Sequence, residues 1–190
     1  RATLPPAEGR VEPPAALPEV EGLEIRSFYR GARAHPCDFA DALPLEGRRL
    51  AIAVGGVAGE GAEGGLVLPM VRALFRMHCR SRESPAEVLR LVNADLFAEL
   101  DGKTFVSVLF GYLDLRRLAY RYARGGTDAP ILYSPGRSQS PIILESSGMV
   151  LGVDRGPPFE GSLEEREVGL EPGDLLVHLT HGAVAAEDVD

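Results

Sequence analysis

Chemistry in this chain is most readily sought in a glycine-dense loop. Val54-Gly55-Gly56-Val57-Ala58-Gly59-Glu60-Gly61-Ala62-Glu63-Gly64-Gly65 follows the apolar run Leu50–Val54 and leads into a helix-like run from Leu66. A strand, a glycine loop and a helix form a common setting for phosphate or metal chemistry. Gly59-Glu60-Gly61-Ala62-Glu63-Gly64 fits the G-x-G-x-x-G spacing of dinucleotide sites. Against a nucleotide, Glu60 and Glu63 would meet a pyrophosphate with like charge, where bare amides and a helix N-terminus are wanted. The next element is a second helix instead of the strand of a βαβ unit, and no P-loop lysine is present. The plainer reading is a turn whose glycines permit positive φ and close packing. Ser107 and Thr180 have no paired histidine and acid in a triad arrangement.

The elements that must position this loop can be read from periodicity. Residues 1–22 carry Pro5, Pro6, Pro13, Pro14 and Pro18 and read as an arm or linker, leaving 23–190 as the globular part. Leu23–Tyr29 alternates like a strand, and Leu50–Val54 reads as a strand covered on both faces. In the first helix Leu66, Met70, Leu74 and Phe75 share a face, flanked by Val67 and Val71. Ser84-Pro85-Ala86-Glu87 is a capping box for the second, whose stripe is Val88, Val92, Leu96 and Leu100.

From Thr104 the pattern turns to strands. Thr104–Leu113 and Leu118–Arg124 form a hairpin, followed by Pro130–Ser134, Ile142–Leu144, Val150–Val153, Leu163–Val168 and Leu175–Thr180. Glu171-Pro172-Gly173-Asp174 is a turn, with Asp174 as a turn residue. His178 alternates with core positions, and His78, Cys79, Met70 and Met77 need no role beyond packing. Strands, two consecutive helices and then antiparallel strands make an α+β layered fold.

Composition narrows the function classes. The chain has 190 residues, 45% hydrophobic and 25% charged, as expected of one globular domain with an arm. A net charge of −8 argues against a nucleic-acid partner. Cys37 and Cys79 make no disulfide framework, which points to a reduced, cytoplasmic setting. No stretch of about 18 apolar residues exists to span a membrane.

The order of segments across 23–190 resembles the stage II sporulation protein E type of bacterial serine/threonine phosphatase, in the metal-dependent type 2C superfamily. Leu17–Ile25 resembles that family's first strand. Tyr29-Arg30-Gly31-Ala32-Arg33 and Cys37-Asp38-Phe39-Ala40-Asp41 resemble its Y-R-P-A and G-D-F-Y-D segments. The glycine loop resembles G-D-V-S-G-K-G. Ser84–Leu89, Thr104-Phe105-Val106-Ser107, Pro172-Gly173-Asp174-Leu175-Leu176 and Thr180-His181-Gly182-Ala183 continue in the family's order. The fold this implies is a layered sandwich of antiparallel β-sheets flanked by helices.

In that family, carboxylates hold two Mn²⁺ or Mg²⁺ ions that activate water against phosphoserine or phosphothreonine. The resemblance places Asp38 and Asp41 at retained carboxylate positions. Gly56 stands at the bridging aspartate, Ala58 at the serine and Glu60 at the lysine. His181 replaces the T-D-G aspartate, and Arg124-Gly125-Gly126-Thr127 replaces N-A-G-H, so Thr127 is degenerate too. The family's closing segment is expected beyond residue 190.

These losses favour a pseudophosphatase without a metal cofactor, a signalling domain that meets a protein partner. The resemblance suggests a phosphorylated anti-sigma-factor antagonist or an upstream sensor domain as that partner, and a homodimer is compatible with it. The competing readings are an active Mn²⁺- or Mg²⁺-dependent phosphatase with an altered site, and a nucleotide-binding domain. A Zn²⁺ site from His35, Cys37, Asp38 and His181 competes with simple filling of vacated space.

Overall fold

Eight strands and three helices make up the described part of the chain. In the computed structural model, which describes residues 17–28, 37–58, 63–100, 102–138 and 140–180, the first two are β1 (Asp38–Leu45) and β2 (Arg49–Ala58). Helices α1 (Glu63–His78) and α2 (Pro85–Glu99) follow, then the hairpin β3 (Phe105–Asp114) and β4 (Ala119–Gly125). Next come the short strands β5 (Ile131–Tyr133) and β6 (Ile142–Ile143), the helix α3 (Pro157–Ser162), β7 (Glu165–Gly169) and β8 (Leu175–Val177).

One sheet runs β1-β2-β3-β4-β7, the other β6-β5-β8, and every strand pair is antiparallel. The larger sheet is covered on both faces, so β2 and β3 read as nearly unbroken apolar runs. On one face Phe39, Val71, Phe75, Val88, Val92, Leu96, Val108 and Phe110 make a core against the helices. Aromatic rings line it from Phe39 to Phe75 (6.4 Å), Phe110 (5.3 Å) and Tyr112 (5.2 Å). On the other face Leu50, Leu109, Leu113, Tyr120 and Tyr122 pack against Leu132 and Leu144. Val20, Leu23 and Ile25 join this second core, so packing starts slightly before Leu23.

Local chemistry fixes the ends of elements. Ser84 caps α2 by accepting from the Glu87 amide (3.1 Å), and Pro85 opens the helix. The Glu87 side chain pairs with Arg82 (2.9 Å) instead of closing the box, while Glu165 of β7 accepts from Ser84 Oγ and the Ala86 amide. A carboxylate at that positive helix end ties α2 to the sheet. Asp114 turns the β3–β4 hairpin by accepting from the Arg116 and Arg117 amides.

Several sequence expectations change. Asp38–Leu45 and Pro157–Ser162 are a strand and a helix that periodicity did not announce. Residues 23–28 form no ladder, only the bridge Val20–Leu23, and Val150–Val153 is reduced to the bridge Leu151–Val106. The buried line of α1 is Val71, Phe75 and then Cys79, whereas Leu66 is exposed. Val67, Met70 and Leu74 pack half-buried against the same core, so of the expected face only Leu66 is open.

Candidate functional site

The register sets the site. Asp38 of β1 pairs with Gly56 of β2, and Gly56 pairs with Ser107 of β3, so the three sit abreast at one end of the larger sheet. Directly paired residues share a face, and alternation along β3 puts Ser107 on the side of Leu109, toward the second sheet. The chain leaving β8 delivers Thr180 to the same place. Its hydroxyl donates to Asp38 Oδ2 at 2.6 Å. Segments separated by 142 residues therefore meet at one carboxylate.

The two glycines of β2 differ in kind. A Cβ on Gly55 would collide with the Ser107 carbonyl and lie 2.8 Å from Val108 Cα, so the close approach of two backbones requires glycine. A Cβ on Gly56 would stand 2.5 Å from Asp38 Oδ1, with the next nearest atoms at 3.6 Å or more. The Asp38 side chain thus occupies the room that a side chain at position 56 would take, and it is the movable end of a half-buried residue.

Asp41 goes elsewhere. It lies three residues along β1, on the helix-facing side, and is only 6% exposed. Arg76 of α1 grips it with two hydrogen bonds (2.6 and 2.7 Å), and Arg72 adds a contact at 3.6 Å. The strand pleat separates it from Asp38, so the two carboxylates do not form one ligand set. The expectation of a retained ion-binding position at Asp41 meets an arginine clamp instead. Arg72 and Arg76, spaced by four on α1, were the signal in sequence that a buried acid needed partners.

Of the other expected positions, Ala58 ends β2 opposite Phe105. Thr127 is buried just past β4, and its hydroxyl finds no hydrogen-bond partner among the described residues. Its carbonyl accepts from Arg124, which also donates to Ser146 and Glu145. The Cys37 carbonyl accepts from the Val57 amide at 3.0 Å. Burial, together with the neighbouring Asp38 charge, pushes the Cys37 thiol up, away from a reactive thiolate. Glu60, His35 and His181 lie outside the described residues. His178 is half-buried beside Tyr120, sharing a 2.9 Å hydrogen bond, and desolvation pushes its pKa down to about 4. Asp174 closes its turn by accepting from the Glu171 amide, Ser134 and Arg137.

Residues 46–190 match the family described as Stage II sporulation protein E. The chain belongs to that family. The RsbU and RsbW domains of Rv1364c from Mycobacterium tuberculosis superpose with a TM-score of 0.62 at 26% identity, covering 75% of this chain and 38% of that one. The PP2C phosphatase domain of SpoIIE from Bacillus subtilis, solved with a fragment of its regulatory domain, gives 0.61 at 17% identity, covering 73% and 39%. Protein IcfG of Synechocystis sp. is 23% identical over 91% of this chain, which spans 31% of the IcfG length. The antiparallel sandwich is the fold of these phosphatase domains.

SpoIIE-type phosphatases are typically metal-dependent, so the donor set can be tested against a two-cation centre. Hard divalent cations want several oxygen ligands, chiefly carboxylates. The site assembles one carboxylate, Asp38, already accepting from Thr180, beside Gly56, which has no side chain to offer. Among the described residues no group of three or more His, Cys, Asp or Glu side chains could hold a metal ion. The described residues do not by themselves fit a dinuclear centre. No described helix is long and apolar enough to cross a membrane.

Proposed function

We propose that this SpoIIE-family domain is a pseudophosphatase, a signalling domain that acts through protein contact and not through hydrolysis. The observation that carries this reading is the side chain of Asp38. It leans into the space beside Gly56 and is held there by Thr180, so the position of a bridging carboxylate is both lost and filled. Removing one negative charge from between two dications leaves their repulsion uncompensated, and a hydroxyl does not replace it. The partner is a protein of a bacterial partner-switching pathway, such as a phosphorylated anti-sigma-factor antagonist or an upstream sensor domain. Kinship with proteins longer than this chain, which spans 31% of one and covers 38% of another that carries RsbU and RsbW domains, supports that class of partner.

Turnover of a phosphoserine protein with Mn²⁺, alongside calorimetric titration of Mn²⁺, tests the proposal. The expected result is no turnover above the buffer rate and no saturable Mn²⁺ binding in this chain. A Gly56→Asp/His181→Asp variant is expected to gain Mn²⁺ affinity. Mn²⁺-dependent turnover by the parent that disappears in Asp38→Asn would overturn the proposal and establish an active phosphatase with an altered site.

A further inference from the structure

At one end of the larger sheet, on the side that carries the helices, the register leaves a hollow. Arg49 of β2, Asp114 of β3, Ala119 of β4 and Gly169 of β7 lie abreast in one row. Tyr112, Arg121 and Glu167 lie abreast in the next row on the same face. Ala119 and Gly169 are short, and a Cβ on Gly169 would meet no atom within 4 Å. Long side chains around them enclose about 220 Å³, lined by Arg49, Arg117, Arg121, Glu83, Asp114 and Glu167 with the Tyr112 ring and Ala119. The ring is held in place by its hydroxyl, which donates to the Cys79 carbonyl at 3.1 Å. The β1–β2 and β3–β4 turns border the hollow, and each holds a non-glycine residue at left-handed φ, Arg48 (60°) and Leu118 (49°). That backbone is unfavourable for a side chain, and it sets the adjoining Arg49 and Arg117.

Three cations and three anions line the space, so net charge does not choose a guest. What chooses is which groups remain open. Glu167 holds Arg121 through one oxygen (2.9 and 2.8 Å) and Arg117 through the other (3.4 Å). Asp114 Oδ1 accepts from two backbone amides. Glu83 is 84% exposed and stands 3.8 Å from Arg49, beyond hydrogen-bond reach, so it can turn to water. Arg49 engages only Nε, on the Glu46 carbonyl at 3.4 Å, and neither terminal nitrogen has a hydrogen bond among the described residues. Arg117 is 61% exposed and engages one terminal nitrogen. A guanidinium carries more N–H groups than these contacts use, so the lining has donors to spare and few open acceptors.

We propose that this hollow binds a phosphate dianion, free or as a monoester, between Arg49, Arg117 and Arg121, with any stem against Tyr112. Planar guanidinium forks around one space suit the several oxygens of a phosphate better than the two of a carboxylate. The volume is below the roughly 300–1,000 Å³ of sites for drug-sized ligands, so it suits a head group with a short stem and not a nucleotide. The hollow lies about 23 Å along β2 from Gly56 and on the opposite face of the sheet from Asp38, so it is separate from the site already described. Because acids stay beside the arginines, directed hydrogen bonds and not a net field hold the anion. Dissociation is therefore on the order of 1 mM.

Amide NMR of the whole chain reads the site, titrated with inorganic phosphate and with N-acetyl-O-phosphoserine amide in EDTA, at ionic strength held constant with chloride. The expected result is saturable shifts at the Arg49, Asp114, Arg117 and Arg121 amides, half complete at about 1 mM, and no matching response to acetate. Ala119→Leu fills the space without removing a charge and should abolish the response. Arg49→Gln and Arg117→Gln should each weaken binding about fivefold or more. These two side chains reach water, so both variants should fold and the test does not hang on Ala119→Leu. A severalfold preference for the phosphoserine probe points to a protein-borne phosphate, and a preference for inorganic phosphate to the free ion; either supports the site. No saturable shift, shifts confined to the amides around Asp38 and Thr180, acetate matching phosphate, or all three variants binding like the parent would each overturn the proposal. EDTA withholds divalent ions and the amides near Asp38 report separately, so the pseudophosphatase reading stands or falls on its own measurement.

Discussion

Asp38 and Asp41 leave the same strand three residues apart and reach opposite sides of the sheet. Asp41 is buried on the helix-facing side near Phe75 and Phe110 and held by two arginines of α1. Asp38 stands at the end of the inter-sheet side, beside a glycine, with one hydroxyl for a partner. One carboxylate joins a helix to a strand and the other marks a site. Because a strand alternates faces, the two tasks are separable. The packing around Asp41 therefore does not depend on what stands beside Asp38, and under the proposed pseudophosphatase reading that is how the sandwich persists without a dinuclear centre.

The largest effect expected on this contrast comes from Gly55, where both faces depend on one backbone contact. Gly55→Ala forces β2 and β3 apart and should cost about 4 kcal/mol, or prevent folding. Gly56→Ala meets only the Asp38 side chain, which can swing, and should cost about 1 kcal/mol or less. Urea unfolding of the two variants makes the comparison. Equal costs would mean that Gly56 is also demanded by the backbone and is no vacated side-chain position.

Acid should strain the inter-sheet side next. His178 is neutral in the fold, with its pKa lowered to about 4 by burial, but in the unfolded chain it titrates near 6.5. The unfolded state therefore takes up the proton first as pH falls. The stability that depends on neutral His178 is complete above about pH 6.5 and drains away toward pH 4, by at most about 3 kcal/mol, and less because the ring keeps some solvent contact. His178→Gln should flatten this dependence in urea midpoints measured between pH 7.5 and 4.5.

Asp41→Asn, on the helix-facing side, should cost about 2 kcal/mol at neutral pH: it strands the Arg76 and Arg72 charges, but Arg76 is partly exposed and water offsets some of the loss. A cost below about 0.5 kcal/mol would deny Asp41 its structural role.

Much of this architecture was legible because periodicity reports burial directly. β2, the β3–β4 hairpin, the Ser84 cap and the Val88–Val92–Leu96 stripe follow from apolar spacing and from local capping chemistry. The glycine loop, the Thr180 segment and Asp38 were joined only by resemblance, since nothing local to Thr180 says that it meets a residue 142 positions away. β1 was missed because Asp38, Asp41 and Pro44 interrupt its apolar pattern, and the acid on its covered face is paid for by arginines on another element. On α1 the expected face holds for Met70, Leu74 and Phe75, with Val67 and Val71 beside them, and fails only at Leu66, at the exposed start of the helix.

Asp38→Asn gives the smallest effect and the sharpest test of the contrast. An asparagine keeps an acceptor for the Thr180 hydroxyl and loses only the charge on that hydrogen bond, so the expected cost is about 1 kcal/mol or less. Melting temperatures with and without Mn²⁺ should coincide for the parent and for the variant, because one carboxylate engaged by a threonine offers a hard cation too few ligands. If Mn²⁺ instead raises the melting temperature of the parent and Asp38→Asn abolishes the rise, Asp38 is a metal ligand despite Gly56. The two aspartates would then differ in function as well as in partners, and the site would have to be rebuilt around ligands drawn from the segments that hold Glu60 and His181.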